Sequence, residues 1–103
     1  MTTTRMAKQD AQKMLSNVPQ EFVFWCHKGG VLTNLNELRD ALNSMADEDY
    51  AYHANSQKND FSAWVKDIIK DEKLASDLSK AKTRPQAAKA VSERLTALQS
   101  RVK

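Results

Sequence analysis

Four residues punctuate this chain of 103: Pro19, the adjacent pair Gly29 and Gly30, and Pro85. With only two prolines and two glycines, these positions mark nearly every place where the backbone needs special geometry, and the rest of the chain is free to run in regular elements. All seven aromatic residues, Phe22, Phe24, Trp25, Tyr50, Tyr52, Phe61 and Trp64, fall between the two prolines. Aromatic side chains bury the most area per residue, so this stretch locates the core, and the flanks read as helical arms. The expected organisation is a single domain, 1–103, with an N-terminal helical arm (1–18), a hairpin plus helical core (19–84) and a basic amphipathic C-terminal helix (85–103). The length leaves room for one hydrophobic core and no more.

Composition narrows the class. Hydrophobic residues make up 41% and charged residues 28%, which is the balance of a globular domain and far from that of a disordered or membrane chain. No apolar run approaches the roughly 18 residues a membrane span needs, and the N-terminus lacks the apolar core of a secretory signal. The expectation is therefore a cytoplasmic protein with no membrane partner. A single cysteine, Cys26, excludes an internal disulfide framework and a cysteine-rich zinc site, so no metal or cofactor is expected.

Apolar spacing sets the elements. Met6, Ala7, Ala11, Met14 and Leu15 recur at helical intervals behind Thr3 or Thr4 as cap, which predicts a helix over about 4–16. The run Glu21 to His27 is β-branched and aromatic, the Lys28-Gly29-Gly30 turn follows it, and Val31 to Thr33 resumes the pattern, as in a β-hairpin. Asn34 with Glu37 reads as an N-cap signal ahead of Leu35, Leu38, Leu42 and Met45. A short helix from Glu48 to about His53 would turn Tyr50 and His53 to one side, and a loop would span Asn55 to Asn59. Asp60 is expected to cap a helix with the stripe Phe61, Trp64, Val65 and Ile68, and Asp71 to open another with Leu74, Ala75 and Leu78. Thr83 and Gln86 form a capping box, and the last helix carries Ala88, Val91, Leu95, Leu98 and Val102 at near-heptad spacing. The fold class is thus mainly α with a small β-hairpin, α+β by strict count: a compact multi-helix domain with helical terminal arms.

The segments FVFWCHKGGVL, NLNELRDALNSM, YHANSQKNDFSAWVKDII and DEKLASDL together resemble an uncharacterised domain family of archaea and bacteria. The match covers about Phe22 to Leu78, and its most specific part is the order of His53, then Asn59-Asp60-Phe61, then Trp64. The resemblance implies one compact module of prokaryotic type and carries no reaction, cofactor or partner. A glycine is common in that family between the tryptophan helix and the next one, where this chain has Lys70-Asp71.

His53 and Asp60 are the candidates for acid–base chemistry, since a carboxylate-oriented histidine is the usual general base near neutral pH. Neither a nucleophile with a matched base nor a glycine-rich oxyanion or phosphate loop accompanies them, and a structural role for His53 against Trp64 or the same loop accounts for it more simply. No residue is assigned as catalytic. Cys26 and His27 are neighbours in a strand and point to opposite faces, so they cannot share a metal, and Cys26 is expected to be a buried thiol. Asp47, Glu48 and Asp49 lack the spacing of a calcium loop and suit a helix start. From Lys80 onward the chain has Lys80, Lys82, Arg84, Lys89, Arg94, Arg101 and Lys103 against Glu93 alone, the one charge pattern that suggests nucleic acid as a partner. The stripe Val91, Leu95, Leu98 and Val102 suggests a docking seam for a protein partner or a second copy in a homo-oligomer. The first expectation is a non-enzymatic interaction module acting through its terminal helices; nucleic-acid association through the basic segment is the alternative, and a cryptic enzyme using His53 and Asp60 the third.

Overall fold

In the computed structural model, which describes residues 7–27 and 29–102, the N-terminal helix α1 runs Lys8–Leu15 and starts from an extended Ala7. It is shorter than the spacing predicts, and Thr3, Thr4 and Met6 lie outside the described residues. The expected first strand also contracts. Gln20–Phe22 forms a single 3-10 turn after Pro19, and only Phe24–Trp25 (β1) pairs, antiparallel, with Val31–Leu32 (β2). Proline fixes its own φ near −65°, which suits the start of a helical turn and competes with an early strand. Gly29 and Gly30 both take positive φ, 104° and 89°, the backbone the hairpin turn requires.

Helix α2 (Leu35–Ser44) is capped as the sequence indicates, with the Asn34 side chain accepting the Glu37 N–H. Glu37 in turn reaches the Thr33 N–H and hydroxyl. Helix α3 (Asp47–His53) buries Tyr50 and His53 on one side. Helix α4 (Asp60–Trp64) departs from expectation at its cap: Asn59, not Asp60, accepts the Ser62 N–H. The reason is competition, because the Asp60 carboxylate is taken by His53 and Lys58. A π-type turn, Val65–Ile69, continues α4. Its extra residue shifts the stripe, so Ile69 takes the buried place predicted for Ile68, which is only half-buried.

That turn closes on Lys70, the one non-glycine among the described residues with positive φ (72°), and both Lys70 and Asp71 donate their N–H to the Val65 carbonyl. This is the turn in which the family resemblance leads one to expect a glycine. A left-handed residue other than glycine costs about 1–2 kcal/mol, and glycine restores part of that as unfolded-chain entropy. Lys70→Gly should therefore stabilise the domain by about 0.5–1 kcal/mol, a rise of a few degrees in Tm. A fall in Tm on thermal denaturation would show that the Lys70 side chain matters more than its backbone.

Helix α5 (Glu72–Lys80) is capped by Asp71, and α6 (Arg84–Val102) by Thr83, whose hydroxyl accepts the Gln86 N–H. Gln86 completes the box one residue early, accepting from the Lys82 N–H. Helix α6 packs lengthwise on α1 and α2. Ala11 of α1 and Ala87, Ala88, Val91, Leu95 and Leu98 of α6 join Leu35, Leu38, Leu42, Phe61 and Trp64 in one continuous core. The terminal helices are accordingly walls of the core rather than arms on it. The reason is geometric: a two-stranded ribbon and short helices cannot enclose their own apolar faces, and α6 is the longest helix able to close them.

Candidate functional site

The corner between the hairpin and α3–α4 gathers most of the distinctive residues. His53 is buried among rings, with Phe24 at 4.9 Å and Phe61 at 5.2 Å between centroids. Of the two expected roles, packing against Trp64 or bonding the following loop, it takes the second, through Asp60, and its ring packs on Phe24 and Phe61. Its Nδ1 lies 3.0 Å from Asp60 Oδ2, and its Nε2 accepts the backbone N–H of His27 at 2.9 Å. Because Nε2 is an acceptor, the ring proton belongs on Nδ1, donated to the carboxylate. Both nitrogens are thus engaged, one tying the hairpin turn to α3 and the other tying α3 to α4. Partial burial by itself raises the Asp60 pKa, but hydrogen bonds from His53 and Lys58 and the Lys58 charge outweigh it and hold the carboxyl below its usual range. A depressed carboxyl stabilises the fold above its unfolded pKa and loses that contribution as pH falls through the folded value.

Around this corner, His27 stacks on Tyr52 at 3.9 Å and Lys58 sits over the same ring. Cys26 is half-buried rather than buried, and desolvation pushes its thiol pKa up, which favours the unreactive protonated form. Among the described residues no group of three His, Cys, Asp or Glu side chains converges as a metal-ligand set, and no helix is long and apolar enough to cross a membrane.

The basic segment does not come together as one surface. Arg94 is committed to Asp71, with Nε 2.8 Å from Oδ2 and Nη2 3.0 Å from Oδ1, the carboxylate being wholly buried and the guanidinium largely so. Arg84 bonds Asp47 Oδ1 and the Leu42 carbonyl, closing α6 against α2 and α3. Lys89 lies 4.0 Å from Glu93. Lys80, Lys82 and Arg101 remain exposed or nearly so without a carboxylate partner among the described residues, and Lys103 lies outside them. Two of the seven candidate phosphate contacts are thus structural ion pairs, because a cation that sits beside a buried or helix-start carboxylate is held there.

The predicted docking seam is likewise spent within the chain. Val91, Leu95 and Leu98 are fully buried against the domain's own helices, and Val102 is half-buried at the end of the stripe. Near-heptad spacing shows that something must cover the strip; α1 and α2 do so.

What remains open is the outer face of the hairpin, a site the sequence reading did not single out. Phe24 points inward and Trp25 outward, 75% exposed, opposite Val31 on β2. Beside it lies a cleft of about 370 Å³ lined by Asn17, Val18, Gln20, Val23, Val31 and Thr33, none of them charged. The 17–20 segment that forms one wall is held by the Val18 N–H to the Thr33 carbonyl and by Asn34 to Asn17, while Trp64 Nε1 ties the Phe22 carbonyl back to the core. The signal in the sequence was two adjacent aromatics in a strand, which cannot both face inward. Comparison of the chain with protein-family models, curated proteins and solved structures finds no match.

Proposed function

We propose that this protein is a non-enzymatic interaction module that pairs with a second copy of itself through the outer face of its hairpin. The observation that carries the reading is Trp25, an indole 75% exposed at the rim of an uncharged cleft. A projecting ring beside a receiving cleft is self-complementary: across a two-fold axis each Trp25 enters the other copy's cleft. Charge favours this face too. Two copies of a chain with net charge +3 repel over most of their surfaces, and a charge-free patch lets them meet without burying like charges. The non-enzymatic part of the reading is supported by His53, both of whose ring nitrogens are already engaged within the protein.

Trp25 and Val31 expose on the order of 250 Å² of apolar side chain, about a third of the ~800 Å² each partner contributes to a standard interface, so the dimer should be weak, with Kd of roughly 10–100 µM. Sedimentation of the intact chain across that range should show a monomer–dimer equilibrium that moderate salt leaves intact. Trp25→Ser should abolish it with little change in Tm. A chain that stays monomeric at about 1 mM, ten times the upper Kd, would sink the proposal. Salt-sensitive retention on mixed DNA and RNA would point to the free lysines of the C-terminal segment instead.

A further inference from the structure

On another side of the molecule, the loop 54–59 and the corner between α5 and α6 enclose a polar trough. It has two connected lobes, of about 700 Å³ and about 510 Å³, that share Tyr50, Ala54 and Lys82. Tyr50 is the informative residue. Its side chain is 92% buried, being 8% exposed, and its ring stacks on Phe61. Buried tyrosines ordinarily find a partner for the hydroxyl. Here Oη has none among the described residues and is not fully sealed from solvent, and Tyr50 lines both lobes of the trough. Burial pushes the phenol pKa up, so Oη carries its proton at neutral pH and serves as a donor.

One end of the trough is the start of α6. Thr83, Arg84 and Pro85 line it, and the Thr83 and Arg84 N–H groups have no acceptor among the described residues. A 19-residue helix concentrates partial positive charge at that end. The Lys82 ammonium has no carboxylate partner among the described residues, and the Asp47 carboxylate, the one acid in the lining, is neutralised by Arg84. The other end carries the Ser56 hydroxyl and the Gln57 amide, together with the Ser79 hydroxyl, which donates to the Ser76 carbonyl and keeps only its acceptor side. Lys58 also lies there but is held by Asp60.

We infer that this trough is a binding site for a small phosphorylated polyol, the chemical class of a sugar phosphate, with its phosphate at Lys82, Tyr50 Oη and the first turn of α6. The donors at that end suit an oxyanion, and the uncharged polar loop suits hydroxyls. Each lobe by itself falls within the volume range of small-molecule sites. The site is distinct from the hairpin face and does not depend on self-association.

The test is a titration of the full chain with ribose 5-phosphate, inorganic phosphate and ribose, followed by amide chemical shifts. Ribose 5-phosphate should give saturable shifts centred on Thr83 and Arg84, inorganic phosphate should bind at least about fivefold more weakly, and ribose should give none. A hydrogen bond to a charged group corresponds to about tenfold or more in affinity, so Tyr50→Phe should weaken ribose 5-phosphate binding by about that factor. That variant removes only a hydroxyl with no partner among the described residues, so its Tm should hold. Lys82→Gln, at an exposed position, should weaken binding comparably whatever Tyr50→Phe does to folding. Absence of saturable shifts at roughly 10 mM ligand, where only interactions weaker than about −3 kcal/mol escape, would overturn the inference. Unchanged affinity in Lys82→Gln, or inorganic phosphate binding as tightly as ribose 5-phosphate, would overturn it equally.

Discussion

Replacing Trp64 with alanine is expected to remove about 3–5 kcal/mol of stability, the range for deleting a large aromatic from a packed core. Trp64 is buried on α4, edge-on to Phe24 at 5.8 Å, and its Nε1 donates to the Phe22 carbonyl at 2.8 Å. The loss is therefore double: a cavity forms between hairpin and helices, and the carbonyl that holds the 3-10 turn to the core loses its donor. Domains of this size have about 5–15 kcal/mol in total, so Tm should fall by roughly 15–30 °C. Trp64→Phe, which fills most of the cavity but cannot donate, should cost about 1–2 kcal/mol and separate the two terms. Chemical denaturation showing Trp64→Ala to be nearly neutral would mean that hairpin and helices are not packed through this residue.

The buried pair Asp71–Arg94 gives the second large effect. Asp71 is wholly inaccessible, caps α5 through the Leu74 N–H, and accepts two hydrogen bonds from Arg94 of α6. Arg94→Met should cost about 3–5 kcal/mol, because it leaves a carboxylate in the core without its cation. The double variant Asp71→Asn with Arg94→Met should be markedly more stable than Arg94→Met alone. Asparagine caps a helix as well as aspartate does, and the methionine keeps apolar volume where the arginine stem lay. A coupling of about 2–3 kcal/mol in the double-mutant cycle is expected. Additive effects would show that the two side chains act independently, and that α5 and α6 are joined by apolar packing alone. Since Asp71 is wholly inaccessible and Arg94 largely buried, the coupling should be less sensitive to salt than that of Lys73–Asp77 on the surface.

These two sites differ in how visible they are before the chain is folded. Trp64 belongs to a helical stripe that spacing alone identifies, and its burial follows from that stripe. Asp71 is visible as a cap, but its partner lies 23 residues away on another helix, and Arg94 reads from the sequence as one more surface cation. The cap of α4 shows the same boundary at close range. Asn59 and Asp60 are both competent caps, and what assigns the role to Asn59 is His53, which claims the Asp60 carboxylate from the preceding helix.

Local chemistry, acting within four or five residues, is what the amino-acid sequence determined by itself: helices at 3.6-residue spacing, caps at Asn34, Asp71 and Thr83, and a turn at Gly29-Gly30 that needs positive φ. Periodicity also determined that the α6 stripe had to be covered, because an amphipathic helix cannot shelter its own apolar face. Tertiary structure alone decided what covers it, since α1, α2 and a second copy of the chain all offer the same apolar chemistry and only the path of the connecting segments selects among them. It likewise decided that Phe24 enters the core while Trp25 stays out, and that Tyr50 is buried with its hydroxyl left without a partner among the described residues. Each of these depends on which elements meet across dozens of residues, a contact that residue spacing does not encode.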